Sequence, residues 1–112
     1  MNDYEVIWSQ ESIYDVADIA DYIELRFGRE RADKFNDDID KEGQALGRNY
    51  KLNTGTGIYY RKKLILKKIF EPSIIFYFVD DKVRTVYIVR VLRHERDWQN
   101  ILKEESEYTF NF

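Results

Sequence analysis

The spacing of apolar residues changes part-way along the chain, and this change limits the folds that the chain can adopt. In the first half, apolar residues recur at helical spacing in two stretches separated by Gly28. This pattern predicts two amphipathic helices, the second over about Arg29–Leu46, joined as an antiparallel hairpin. Ser9 or Ser12 is expected to cap the first helix, and Gly28 to end it. The apolar positions are Ile13, Val16, Ala17, Ala20, Ile23, Phe27, Ala32, Phe35, Ile39 and Leu46.

Strand-forming residues lie on both sides of the predicted hairpin. Tyr4–Trp8 carries valine, isoleucine and tryptophan in succession, which predicts a first strand. The glycine- and asparagine-rich stretch Gly47–Gly57 predicts a loop. Three strands with short turns between them are then predicted, over Ile58–Phe70, Ser73–Val79 and Arg84–Leu92.

The predicted order β-α-α-β-β-β defines an α+β fold. Short connections favour antiparallel neighbours, so the strands should form a single, mainly antiparallel four-stranded sheet. The helical hairpin should pack on one face of this sheet. The opposite face is then expected to stay free and to present charged side chains to a partner.

Length and composition restrict the class of protein further. The 112 residues suit one domain spanning residues 1–112. The chain has no cysteine and one histidine, so disulfides, thiolate metal sites and histidine-built zinc sites are not expected, nor is a cofactor. The N-terminus MNDYEVIWSQES lacks the basic flank and apolar core of a signal peptide. No stretch reaches the length of a membrane span, and we expect a cytoplasmic location.

The net charge of −3 is unevenly distributed along the chain. Residues 1–57 carry a balance of −6, residues 58–98 a balance of +5, and residues 99–112 a balance of −2. A basic surface attracts anions such as nucleic acid or an acidic protein segment. The alternative is that the lysines of the predicted sheet serve only solubility.

Several motifs resemble those of the RelE/ParE superfamily of toxins from type II toxin–antitoxin modules. The first helix, SIYDVADIADYI (Ser12–Ile23), is similar to that of the family, and so are the phenylalanine-glycine stop and the following apolar stripe. The most similar part is IIFYFVDDKVRTVYIVRVLRHERDWQNIL (Ile74–Leu102). The resemblance extends from Tyr4 to Leu102. One departure is Asn53–Gly57, which stands where the family usually has a proline-containing loop.

The resemblance implies a growth-inhibiting toxin that a cognate antitoxin holds inactive, in a toxin–antitoxin hetero-oligomer. One branch of the superfamily cleaves mRNA on the ribosome, and the other inhibits DNA gyrase without hydrolysis. The ending RVLRHERDW resembles the gyrase-directed branch, but both activities remain open, with mRNA cleavage as the first hypothesis. A third hypothesis is a toxin-like scaffold that has lost its activity.

Metal-free cleavage of RNA requires groups that remove the 2′-hydroxyl proton, neutralise the phosphate and protonate the leaving oxygen. Arginine suits the phosphate and histidine suits proton transfer. The candidate catalytic residues are therefore Arg61, Arg90 and His94, and the candidate binding residues are Lys67, Arg93 and Arg96.

Strand alternation predicts which face of the sheet the candidate residues of the last strand occupy. If Val89 and Val91 face the hairpin, Arg90 and His94 face the open surface together. Structural roles are the alternative: His94 could end the strand, Arg90 could form an ion pair, and the remaining cations could form a solvated face.

The last ten residues, 103–112, are expected to form a tail or a segment that contacts the antitoxin. Tyr108, Phe110 and Phe112 alternate along it. These aromatic residues are expected either to fold back onto the domain or to join the antitoxin interface, and a disordered tail is the alternative.

Overall fold

The computed structural model describes residues 3–105 and 107–110 of the chain. Phe112, one of the aromatic residues singled out above, lies outside the described residues. The elements are β1 (Glu5–Trp8), α1 (Gln10–Phe27), α2 (Arg29–Asn49), a 3₁₀ turn (Tyr50–Leu52), β2 (Thr54–Tyr60), β3 (Lys63–Phe70), β4 (Ser73–Asp80), β5 (Thr85–Arg93) and α3 (Trp98–Glu104).

The strands form one mixed sheet in the order β1-β5-β4-β3-β2. β1 lies parallel to β5, and the other neighbours are antiparallel. The predicted α+β class, with a helical hairpin against a mainly antiparallel sheet, is confirmed. The sheet has five strands because the stretch predicted as one strand is divided between β2 and β3. Arg61 and Lys62 make the turn with φ angles of 48° and 71°, a conformation for which glycine or asparagine is the usual sequence signal.

The start of α1 is determined by Ser9. Its hydroxyl accepts the Ser12 N–H at 2.9 Å and donates to the Val89 carbonyl at 2.6 Å. The predicted cap at Ser9 is therefore confirmed, and the same side chain attaches the helix to β5. Gly28 separates α1 from α2 with a φ of 95°, as expected for the helix stop.

The hairpin packs on one face of the sheet, where it covers β1 and β5. α2 approaches β1 closely: a Cβ added to Gly43 would lie 2.2 Å from the Trp8 ring. The core on this side consists of Ile19, Ala20, Ile23, Ala32, Phe35, Ile39, Leu46, Ile75, Tyr77, Val86, Ile88 and Val91. Among the described residues, no helix is long and apolar enough to span a membrane.

The opposite face of the sheet is covered as well, so the expectation of a free face is wrong. α3 and the segment after it pack there and form a second apolar cluster with the sheet. Its buried members are Tyr60, Ile65, Ile74, Phe76, Phe78, Val89, Leu92, Leu102 and Tyr108. A sequence pattern shows which residues are apolar. It does not show which later segment covers them, because that contact forms between parts of the chain that are distant in sequence.

A β-bulge in β5 changes the alternation of its side chains. Tyr77 is opposite Ile88, whereas Phe76 is opposite Arg90, so Val89 is the additional residue. Val91 belongs to the core beneath the hairpin and Val89 to the second cluster. The expectation that these two valines share a face is therefore wrong.

Candidate functional site

Arg90 lies beside Phe76 on the second face, but its head is neither free nor solvated. The guanidinium donates to both carboxylate oxygens of Asp15, Nε at 2.7 Å and Nη2 at 2.8 Å. The arginine side chain is only 16% exposed. Asp15 also accepts the Val91 N–H at 3.0 Å, so it binds the edge of β5 beyond the end of β1. The expectation that Arg90 presents a charge to a free surface is therefore wrong.

The environment of Arg90 contains a second carboxylate. Glu105 Oε2 lies 3.7 Å from the other terminal nitrogen, Nη1. The hydrogen bonds that Arg90 donates to Asp15 raise the pKa of Arg90 against the lowering effect of burial, and the neighbouring charges add to the rise. Arg90 therefore stays charged and joins α1, β5 and the chain after α3.

His94 lies at the far end of β5. Its Nδ1 is 2.8 Å from Glu71 Oε1, and its backbone N–H donates to the Pro72 carbonyl at 2.9 Å. The side chain is 48% exposed. His94 thus joins the end of β5 to the turn between β3 and β4.

Arg61 lies at the opposite end of the sheet from His94. It forms an ion pair with Glu107, and its guanidinium lies 5.3 Å from the centre of the Tyr60 ring. β3 begins two residues after Arg61, and its last residue, Phe70, shares a register row with Arg93. Arg61 and His94 are therefore separated by about the length of β3, roughly 23 Å. The three predicted catalytic residues are not brought together.

The predicted binding residues are also divided between the two faces. Lys67 lies on the second face, with its Nζ 4.9 Å from the centre of the Trp98 ring. Arg93 lies on the hairpin side, 3.9 Å from the centre of the Tyr22 ring and 2.8 Å from Glu95. Arg96 is exposed, and its backbone N–H donates to the Arg93 carbonyl at 3.0 Å. Arg93 and Arg96 are thus neighbours, whereas Lys67 lies on the other face of the sheet, beside Trp98.

A groove of about 510 Å³ lies between the tip of the hairpin and the turn that joins β3 to β4. Aromatic side chains and charges of both signs line it. The sequence pattern placed Phe27 on the buried helix face, but its side chain is 56% exposed. Helical spacing identifies the apolar face of a helix, but not where the sheet beneath that face ends. The lining includes Tyr22, Phe27, Arg31, Phe35, Phe70 and Arg93.

Comparison with known families agrees with this architecture. Residues 6–98 match the family described as the ParE toxin of the type II toxin–antitoxin system parDE. The chain belongs to this family. It is therefore a toxin of a type II toxin–antitoxin system, and the resemblance to the RelE/ParE superfamily is confirmed.

Solved structures share the fold of the toxin at low sequence identity. The chromosomal ParDE system of P. aeruginosa matches with a TM-score of 0.67 and 20% identity, over 82% of this chain and 97% of that chain. The RelBE2 toxin–antitoxin complex of Mycobacterium tuberculosis matches with a TM-score of 0.58 and 15% identity, over 86% of this chain and 97% of that one. No curated protein sequence matches the toxin.

Proposed function

We propose that the toxin arrests bacterial growth by binding and inhibiting DNA gyrase without cleaving a substrate. The observation that carries this proposal is the position of the three candidate catalytic residues. Arg61, Arg90 and His94 lie apart, and each is bound to a carboxylate of the toxin itself. An inhibitor needs only a complementary surface, so it does not depend on their convergence.

Cleavage of mRNA, the first hypothesis from the sequence, places a stricter demand on geometry. A general base and a general acid must reach the same phosphodiester within hydrogen-bond distance, together with a cation for the phosphate. A separation of roughly 23 Å between Arg61 and His94 would require a large rearrangement of the sheet. The match to the ParE toxin family favours the gyrase-directed activity that the resemblance implies.

We also propose that a cognate antitoxin neutralises the toxin in a hetero-oligomeric complex. Two solved structures similar to the toxin are described as a toxin–antitoxin system and a toxin–antitoxin complex. The groove at the tip of the hairpin combines exposed aromatic area with charged groups, as protein interfaces commonly do. Co-purification of the toxin with a tagged antitoxin would test this partner.

The proposed activity is tested by two assays on the same purified toxin. We expect the toxin to abolish the supercoiling of relaxed plasmid by gyrase, and to leave the mRNA of translating ribosomes intact. Inducible expression in cells should arrest growth, and co-expression of the antitoxin should restore it. New codon-specific cuts in the mRNA, with gyrase unaffected, would establish the nuclease hypothesis instead. No growth arrest at normal protein level would favour a scaffold without activity.

A further inference from the structure

The chain after α3 crosses the second face of the sheet. We use the term strap for Glu105 together with residues 107–110. Tyr108 is 5% exposed and packs on Tyr60, with the ring centres 4.9 Å apart. Phe110 packs edge-on against Tyr87 at 5.1 Å. The strap therefore covers aromatic side chains that would otherwise form part of the surface.

The strap also matches the face beneath it in charge. Glu105 lies 3.7 Å from Arg90, and Glu107 pairs with Arg61. Two carboxylates thus meet two arginines, while two aromatic side chains meet aromatic rings. The contacts of the strap therefore indicate that this face binds an extended segment with acidic and aromatic residues.

The backbone of the strap is held by a small number of hydrogen bonds. The Tyr108 N–H donates to the Tyr60 hydroxyl at 3.1 Å, and the Thr109 carbonyl accepts the Gln10 N–H at 2.8 Å. A single antiparallel bridge joins Phe110 to Ser9. These contacts require an extended backbone but no particular side chain, so a segment from another protein could make them in the same way.

Several attachments of the strap are weak or carry a cost. The ion pair of Arg61 with Glu107 is solvated, with side chains 66% and 70% exposed, so its net contribution is small. The Tyr108 hydroxyl is buried and has no hydrogen-bond partner among the described residues. A polar group buried in this way regains hydrogen bonds when it returns to water. The closed strap is thus less stable than its burial alone implies.

The face beneath the strap has the composition of a binding hot spot. Tyr60 and Phe78 are almost fully buried under it, with Tyr87 beside them and the arginines at the edges. Tyrosine and arginine in a desolvated centre dominate the energetics of most protein interfaces. Released from the strap, this face would be an apolar patch with Arg61 at one edge and Arg90, still paired with Asp15, at another.

We propose that the face beneath the strap is a docking surface for an extended, acidic and aromatic segment of a partner protein, and that the strap occupies it until that segment displaces it. This surface is separate from the groove at the tip of the hairpin. The inference does not depend on gyrase being the target, because it concerns only what the second face binds.

Competition with the strap determines how tightly a free peptide can bind to this face. A tethered segment with a short linker acts at an effective concentration of about the millimolar range. A free peptide with the strap's own sequence must compete with that concentration. Wild-type toxin should therefore bind it weakly, and weakening the strap should make the binding tighter.

The test uses a fluorescent peptide of residues 105–110, ESEYTF, and the full-length toxin. We expect the peptide to bind Tyr108→Ala at least about tenfold more tightly than wild type, because the aromatic anchor of the strap is lost. Adding Arg61→Gln to this variant should weaken binding by no more than about fivefold, because the ion pair with Glu107 is solvated. Lys62→Gln, in the same turn, should leave binding unchanged. A peptide with both aromatic residues replaced by alanine should not bind.

Phe110→Ala provides a second variant in case Tyr108→Ala does not fold, as judged by circular dichroism. It removes the packing of Phe110 on Tyr87 and Phe78 and leaves Tyr108 in place. Equal affinity of the peptide for wild type and a folded strap variant would overturn the proposal, and so would no binding to either. Because neither gyrase nor growth enters the assay, this outcome is independent of the proposed function.

Discussion

Loss of the guanidinium at Arg90 should lower stability rather than remove a catalytic group. The perturbation is Arg90→Met, which keeps the length of the apolar stem. In the structure, the Asp15 carboxylate accepts two hydrogen bonds from Arg90 and one from the Val91 N–H, and its side chain is only 10% exposed. The substitution removes both bonds from Arg90 and leaves the one from Val91. Breaking a buried pair on one side costs about 3–5 kcal/mol. We expect a loss in the free energy of unfolding of about 3 kcal/mol.

The reciprocal change should cost less, because Arg90 keeps a second carboxylate. In Asp15→Asn the guanidinium still faces Glu105 at 3.7 Å, and we expect a loss of about 2 kcal/mol. The double variant should cost less than the sum of the two single changes, by at least about 1 kcal/mol, because the pair acts as a unit. Arg93→Met is the matched control. Its partner Glu95 is 61% exposed, so we expect a loss of no more than about 1 kcal/mol.

Urea unfolding of the four variants, followed by tryptophan fluorescence and circular dichroism, measures these differences. An Arg90→Met protein within about 0.5 kcal/mol of wild type would refute the reasoning, and so would strict additivity in the double variant. The sequence alone predicts that Arg90→Ala abolishes toxicity with the fold intact. The buried ion pair predicts instead that toxicity falls with the amount of folded protein.

Three further predictions concern packing, catalysis and pH. Gly43→Ala should destabilise the toxin by about 1–3 kcal/mol in a melting experiment, since its Cβ would overlap Trp8, although helix propensity alone predicts a gain. His94→Gln should arrest growth as wild type does at equal protein level; loss of arrest would indicate proton transfer. Although burial raises the pKa of Glu11, the hydrogen bonds from Thr109 lower it overall. The ionised Glu11 therefore stabilises the fold fully above about pH 4.5, and this stabilisation is lost as the pH falls further. Below that pH, the free energy of unfolding should fall less steeply for Glu11→Gln than for wild type.

The helical hairpin could be predicted because its signals are local. Ala20, Ile23 and Ile39 belong to the predicted apolar faces of the two helices, and all three are buried in the core beneath the hairpin. Ser9 combines a capping side chain with a position just before the periodic stretch, and the structure uses it as the cap. Each of these features depends on residues within a few turns of one another.

The candidate site could not be predicted, because its geometry depends on distant parts of the chain. Strand alternation predicted that Val89 and Val91 share a face, but a bulge at Val89, which no residue type announces, places them on opposite faces. The carboxylate that binds Arg90 is one of 21 in the sequence, and nothing local selects Asp15. The turn at Arg61 lacks the glycine that usually marks such a turn, so the boundary between β2 and β3 was not visible.

A titration of gyrase with the purified toxin tests most directly whether growth arrest is non-catalytic. Gyrase is held at a fixed concentration, and supercoiling activity is measured as the toxin is added. We expect activity to fall to a clear end-point at a fixed ratio of toxin to gyrase, with reporter mRNA intact at the same ratio. Undiminished supercoiling in excess toxin, together with cleavage of many mRNA molecules by each toxin, would contradict the account.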